Sequence, residues 1–163
     1  MLADTTRLTA FHNAMAEVIA NSDCVLDAGT GTGILAAMAS HLTAGRVVGV
    51  EYLKDTASFA KQALQASHPG RVDVIQGNAA QVDIGTPPDV VVSETIGALG
   101  PEENIVGLTH ALRQRYPDIG APSSRHGCAS WRNRSSPRRR TLFAQAPSER
   151  SRGSSRAVCR SQP

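Results

Sequence analysis

Asp27-x-Gly29-x-Gly31-x-Gly33 lies between the apolar run Cys24-Val25-Leu26 and a stretch of helical periodicity, and Glu51 follows a second apolar run ending at Val50. Glycines in that place let backbone approach a bound ligand where a side chain would block it. Glu51, at the carboxyl end of its strand, can accept hydrogen bonds from both hydroxyls of a ribose. Loop and acid together point to a nucleotide-type cofactor; the plainer alternative is a tight turn with a satisfied surface carboxylate. Spacing narrows the cofactor. The dinucleotide pattern GxGxxG would put its third glycine at position 34, which is Ile34, whereas the glycine here is Gly33. An NAD site also needs a tight turn presenting a helix N-terminus to a pyrophosphate. S-adenosylmethionine carries no phosphate, and a looser loop with an adjoining acid suits it better.

The elements that must position these groups alternate. Leu8, Phe11, Met15, Val18 and Ile19 recur at helical spacing, with Asp4 as N-cap. Cys24-Val25-Leu26 forms a short buried strand, and the glycine loop turns into a helix facing inward with Ile34, Leu35, Met38 and Leu42. Gly45 stops it, and Arg46–Val50 is the next strand. A helix from about Asp55 to Ser67 is expected to carry Phe59, Ala60, Ala63 and Leu64 inward. Val72–Ile75 and Val90–Val92 are further strands, and Pro101 opens a helix bearing Ile105, Leu108 and Leu112. Strands nearly all Val, Ile or Leu, joined by amphipathic helices, imply an α/β fold with a doubly wound parallel sheet covered on both faces. Its ligand crevice lies at the carboxyl ends of the strands. Asp27–Gly33, Glu51, Asn78 and Glu94 would surround it.

Length and charge bound the rest. The 163 residues suffice for one domain, and 40% hydrophobic content excludes wholesale disorder. No apolar run spans a bilayer and no signal peptide is apparent, so no membrane partner is expected. Three scattered cysteines, Cys24, Cys128 and Cys159, argue against a disulfide scaffold or zinc ribbon and fit a reducing cytoplasm. His12, His41, His68, His110 and His126 show no ligand spacing, so no metal is expected. The net charge of +3 averages two unlike parts: residues 1–122 carry −6, while 123–163 carry +9 from ten Arg and one acid. After Pro122 the periodicity stops, and a segment so poor in apolar residues cannot offset its ordering entropy. One reading of this Arg/Ser tail is a nucleic-acid arm working through phosphate contacts. The preferred one is a frameshifted, disordered tail, because Lys vanishes and the sheet stops after its fourth strand. Nucleic acid would then bind it non-specifically at most. Val90–Ser93 would be left as an open apolar edge, making the chain poorly soluble.

Val25-Leu26-Asp27-Ala28-Gly29-Thr30-Gly31-Thr32-Gly33-Ile34-Leu35 resembles the first motif of the class I S-adenosylmethionine-dependent methyltransferases, which have a Rossmann-like sheet. More particularly, residues 1–122 are similar to the protein arginine methyltransferases. Met1–Arg7 and Asn13-Ala14-Met15 resemble the stretch just upstream of that motif, and Ser93-Glu94-Thr95-Ile96-Gly97 followed by Glu103 resembles the family's double-glutamate loop. The resemblance implies that Arg7 pairs with the carboxylate of the cofactor's methionine moiety. Asp27, Gly29, Gly31, Gly33 and Glu51 complete the cofactor site, with Asn78 and Ala79 at the adenine-contact position. Glu94 and Glu103 would hold a substrate guanidinium planar and bidentate, leaving its facing nitrogen a better nucleophile for in-line methyl transfer. The plainer reading is a strand end at Glu94 and a helix start at Glu102-Glu103.

The expected activity in the intact family is thus methyl transfer to arginine side chains of a protein substrate. Three departures set the expectation for this chain. The aromatic helix that folds over the cofactor would precede Met1. Ala80 stands where an acid commonly meets the adenine amine. The Tyr116–Pro122 run looks like the approach to a fifth strand, and the threonine-histidine-tryptophan loop and β-barrel do not follow. A truncated form, weak or inactive, is expected. The alternatives are a class I methyltransferase for another substrate and a non-catalytic fragment that binds the cofactor.

Overall fold

Short runs of β-branched residues that are apolar on both faces pair in parallel and need helices above and below. The chain does this in its inner strands, over 25–28, 47–51 and 90–93, while the strand over 72–76 is only half-buried. The computed structural model describes residues 5–94, 105–117, 119 and 140–143. Its elements run α1 (Thr5–Val18), β1 (Val25–Ala28), α2 (Ile34–Leu42), β2 (Val47–Glu51), α3 (Lys54–Ser67), β3 (Val72–Gln76), β4 (Val90–Ser93), α4 (Ile105–Arg115) and β5 (Arg140–Phe143). The strand order is β3-β2-β1-β4-β5, and every pairing is parallel. Val25 pairs with Val47 on one side and Val90 on the other, so β1 is central.

Side-chain alternation divides the core between the two faces. Val25, Val47, Val90 and Val92 meet Phe11, Met15 and Ile19 of the N-terminal helical segment, Leu35 and Ala36 of α2, and Leu64 of α3. Leu26, Val48, Val50 and Val91 point the other way, onto Leu112, Tyr116 and Ile119 around α4. The α/β, doubly wound reading therefore stands. Asp4, Thr95–Gly97, Pro101, Glu103 and Pro122 lie outside the described residues.

Two expectations are corrected. Phe59 does not face inward; it is 58% exposed, while Ala57, Ala60 and Leu64 are buried. Those three recur at i, i+3 and i+7, one stripe of an α-helix, and position 59 falls off it. The small alanines let α3 lie close on the sheet. Nor does the sheet end at β4. Arg140–Phe143 runs beside it in parallel, pairing Val90 with Arg140 and Ser93 with Phe143. The free N–H and C=O groups along β4 are a template for another strand. Thr141-Leu142-Phe143 is the tail's one run of β-formers, so it supplies that strand and β4 is not left open.

Candidate active site

The glycine loop leaves β1 and is anchored on β2. The amides of Gly29 and Thr30 both donate to the Val50 carbonyl at 2.9 Å, and Gly33 N–H donates to Thr30 O at 2.8 Å. Gly31 and Gly33 adopt φ of +55° and +88°, a left-handed backbone that β-substituted residues rarely take. A Cβ on Gly31 would meet nothing within 4 Å, so the loop leaves open space there. A Cβ on Gly33 would instead come within 2.7 Å of Leu64 Cδ1, where α3 packs against the start of α2.

Asp27 is fully buried beneath this loop. Thr30 Oγ donates to its Oδ2 at 2.6 Å, while Oδ1 makes no hydrogen bond of ordinary geometry among the described residues. Burial pushes the Asp27 carboxyl up to about 6. The Thr30 hydroxyl and the Ala36 amide oppose the rise, and the charge of Glu51 adds to it. With no exposed atom, Asp27 braces the loop from below through Thr30. Sequence reasoning missed Thr30 and the residue that makes room for it. Gly49 in β2 has Thr30 Oγ at 2.8 Å from where a Cβ would stand. The available signal was a lone glycine inside a valine strand, which marks close approach of another group.

Glu51 ends β2 with both carboxylate oxygens turned to backbone. Oε2 accepts from Gly31 N–H and Oε1 from Leu53 N–H, each at 2.9 Å, and its main-chain carbonyl accepts from Gly77 N–H at 2.8 Å. Each oxygen retains acceptor capacity for a ligand hydroxyl. Asn78 is exposed beyond β3 and turns its side-chain oxygen to Ala80 N–H at 2.9 Å. Ala79 packs against the core on the α4 face. Beyond β4, Glu94 takes the guanidinium of Arg7, which reaches over from α1. The structure thus joins two residues for which separate partners were expected. Among the described residues, no three His, Cys, Asp or Glu side chains gather into a cluster that could hold a metal ion. No described helix is long and apolar enough to cross a membrane.

This geometry has counterparts. Residues 25–115 match the family model described as a methyltransferase domain. Protein arginine methyltransferase 10 of Arabidopsis thaliana is 31% identical over 119 residues, which are 71% of this chain and 31% of that protein. Its crystal structure superposes with a TM-score of 0.64, covering 71% of this chain and 34% of that one. The arginine Nω-methyltransferase of Streptomyces achromogenes subsp. streptozoticus is 36% identical over 118 residues, 68% of this chain and 32% of that protein. The Trypanosoma brucei arginine methyltransferase 1 enzyme–prozyme heterotetramer, solved with AdoHcy, aligns at 28% identity and a TM-score of 0.62. That alignment covers 69% of this chain and 36% of that one. The chain belongs to the methyltransferase-domain family, in its class I, S-adenosylmethionine-dependent form. Within that class it resembles the protein arginine methyltransferases, and it spans about a third of the length of these two curated relatives.

Proposed function

We propose that the crevice at the carboxyl ends of β1, β2 and β4 binds S-adenosylmethionine and that the chemistry served is methyl transfer to an arginine guanidinium of a protein substrate. The observation that carries this reading is the coupling of loop and acid: Glu51 accepts the Gly31 amide and keeps acceptor capacity beside it. The residues suit the cofactor. Open space at Gly31 admits a bulky uncharged ligand group, and Glu51 can take ribose hydroxyls. When bound, S-adenosylmethionine supplies an electrophilic methyl on a sulfonium. Gly29, Gly31 and Gly33 give it backbone access, with Asp27 holding the loop through Thr30. Asn78 and Ala79 are assigned to the adenine side. Arg7 has five donors, enough to keep Glu94 while serving the methionine carboxylate. Glu94 and Glu103 would hold the substrate guanidinium, and the ion pair of Glu94 with Arg7 supports that role for Glu94.

The proposal takes residues 1–122 as the methyltransferase domain and 123–163 as an Arg/Ser tail that lends Arg140–Phe143 to the edge of its sheet. Transfer of labelled methyl to an arginine peptide, with a lysine peptide as control, tests the substrate. We expect slow transfer to arginine alone, reduced at least a hundredfold by Glu94→Gln or Glu103→Gln. Equal turnover in both variants would remove the arginine reading in favour of a methyltransferase for another nucleophile. The occupied state of Glu94 favours one second reading: a chain that binds the cofactor without turnover. Saturable cofactor binding with no transfer would select it.

A further inference from the structure

His41 lies in the last turn of α2, and His68 caps the carboxyl end of α3. They stand 27 residues apart, with no motif linking them. The fold brings their Nε2 atoms to 3.0 Å, with ring centroids 4.9 Å apart and planes at 74°. His41 is exposed and His68 half-buried, so water and ions reach both. This is the far end of α2 from the glycine loop.

The surrounding hydrogen bonds determine where the imidazole lone pairs point. Ser67 Oγ donates its one proton to the Ala63 carbonyl at 2.7 Å. At 2.8 Å from His68 Nδ1 that oxygen must therefore accept, which puts the His68 proton on Nδ1 and a lone pair on Nε2. That lone pair is aimed at Nε2 of His41. When His41 takes its Nδ1–H tautomer, its proton leaves the gap between the rings for Nδ1, and two lone pairs converge on one point. Two imidazole nitrogens on one ion, each about 2.0–2.1 Å from it, lie about 2.9 Å apart at a right angle and about 3.3 Å apart at the tetrahedral angle. The observed separation falls within that span.

Electrostatics act in both directions. Both helices end here, and their carboxyl-terminal dipoles favour a cation. Arg71 opposes it, donating to the Ser40 and Thr43 carbonyls at 3.1 and 2.6 Å. That neighbouring charge limits affinity. The donor pair, nitrogen without carboxylate, selects against magnesium and calcium, which demand oxygen.

We infer that His41 and His68 form a surface site for one divalent ion of borderline softness, zinc, nickel or copper, bound through the two Nε2 atoms with water completing its shell. The ion ties the end of α2 to the end of α3, the two helices that meet at Gly33 and Leu64 beneath the glycine loop.

Zinc chloride titrated into the full chain tests this. Thermal melts should rise by roughly 5 °C at saturating zinc and return with EDTA, while magnesium leaves them unchanged. Long-range 1H–15N spectra should show Nε2 of His41 and of His68 shifting together, with Nδ1 of His68 still protonated. His41→Gln or His68→Gln should each abolish the melting shift, and Ser67→Ala should weaken zinc binding about tenfold by releasing the tautomer. No shift in the native chain, an equal response to magnesium, or a shift retained in both Gln variants would overturn the site.

Discussion

Glu51 ends one of the two strands that flank β1 and Glu94 follows the other, yet they are held in opposite ways. Glu51 is fixed by backbone: two amides on its carboxylate, 20 and 2 residues away. Glu94 is fixed by one guanidinium, 87 residues away on α1. The first carboxylate belongs to a rigid frame that local chain geometry builds. The second belongs to a contact between elements, which a competing guanidinium or carboxylate can remodel without disturbing the sheet. On the proposed function, the first would be the cofactor cradle and the second the substrate clamp.

The sharpest way to break the rigid side is from beneath. Gly49→Val places side-chain atoms where Thr30 already stands, and a buried threonine has nowhere to go. We expect a loss of about 3 kcal/mol, read from urea melts, with the glycine loop displaced. A loss below about 0.5 kcal/mol would mean that Thr30 does not brace the loop.

Asp27 sharpens the same side through pH. Its folded pKa of about 6 lies above the ordinary 3.8, so the folded chain binds more protons between those values. Its contribution to stability is therefore full below about pH 4 and is lost as pH rises to about 6, a cost of roughly 3 kcal/mol at most. Asp27→Asn should remove this slope, so that the native-minus-variant difference in stability falls between pH 4 and 6. A flat difference would contradict the buried, ionising carboxyl.

Smaller effects test the contrast itself. Glu51→Gln turns an amide nitrogen toward a backbone N–H and should cost about 1.5 kcal/mol, nearly independent of salt. A double-mutant cycle of Arg7→Ala and Glu94→Ala should give a coupling of about 1 kcal/mol that shrinks by half or more in 1 M salt. The pair is part-buried, with side chains 22% and 18% exposed, which puts it above an exposed surface pair. Equal salt sensitivity at Glu51 and Glu94 would erase the distinction.

What could be read in the sequence follows the same divide. β1, β2 and β4 were legible because their runs of Val and Leu state burial on both faces, β3 because Val72, Val74 and Ile75 are β-formers on a half-buried edge, and the glycine loop because its constraint is local. Phe59 was misplaced because a large apolar residue outweighed the helical stripe formed by two alanines and Leu64. β5 was missed because four residues with little periodicity were claimed by the edge of β4, a tertiary demand. Arg7 and Glu94 were each marked, but their meeting depends on how α1 crosses the sheet. His41 and His68 had no spacing to betray them, since helix ends converge only in the folded chain.

The central claim is that the loop and Glu51 form a site for S-adenosylmethionine, and calorimetry on the full chain addresses it most directly. S-adenosylmethionine and its demethylated product should each bind with a dissociation constant of roughly tens of micromolar or weaker, since association also costs the ligand its translational and rotational freedom. Glu51→Ala should weaken both at least tenfold, and NAD should give no heat of binding. Tight binding of NAD with none of S-adenosylmethionine would contradict the account.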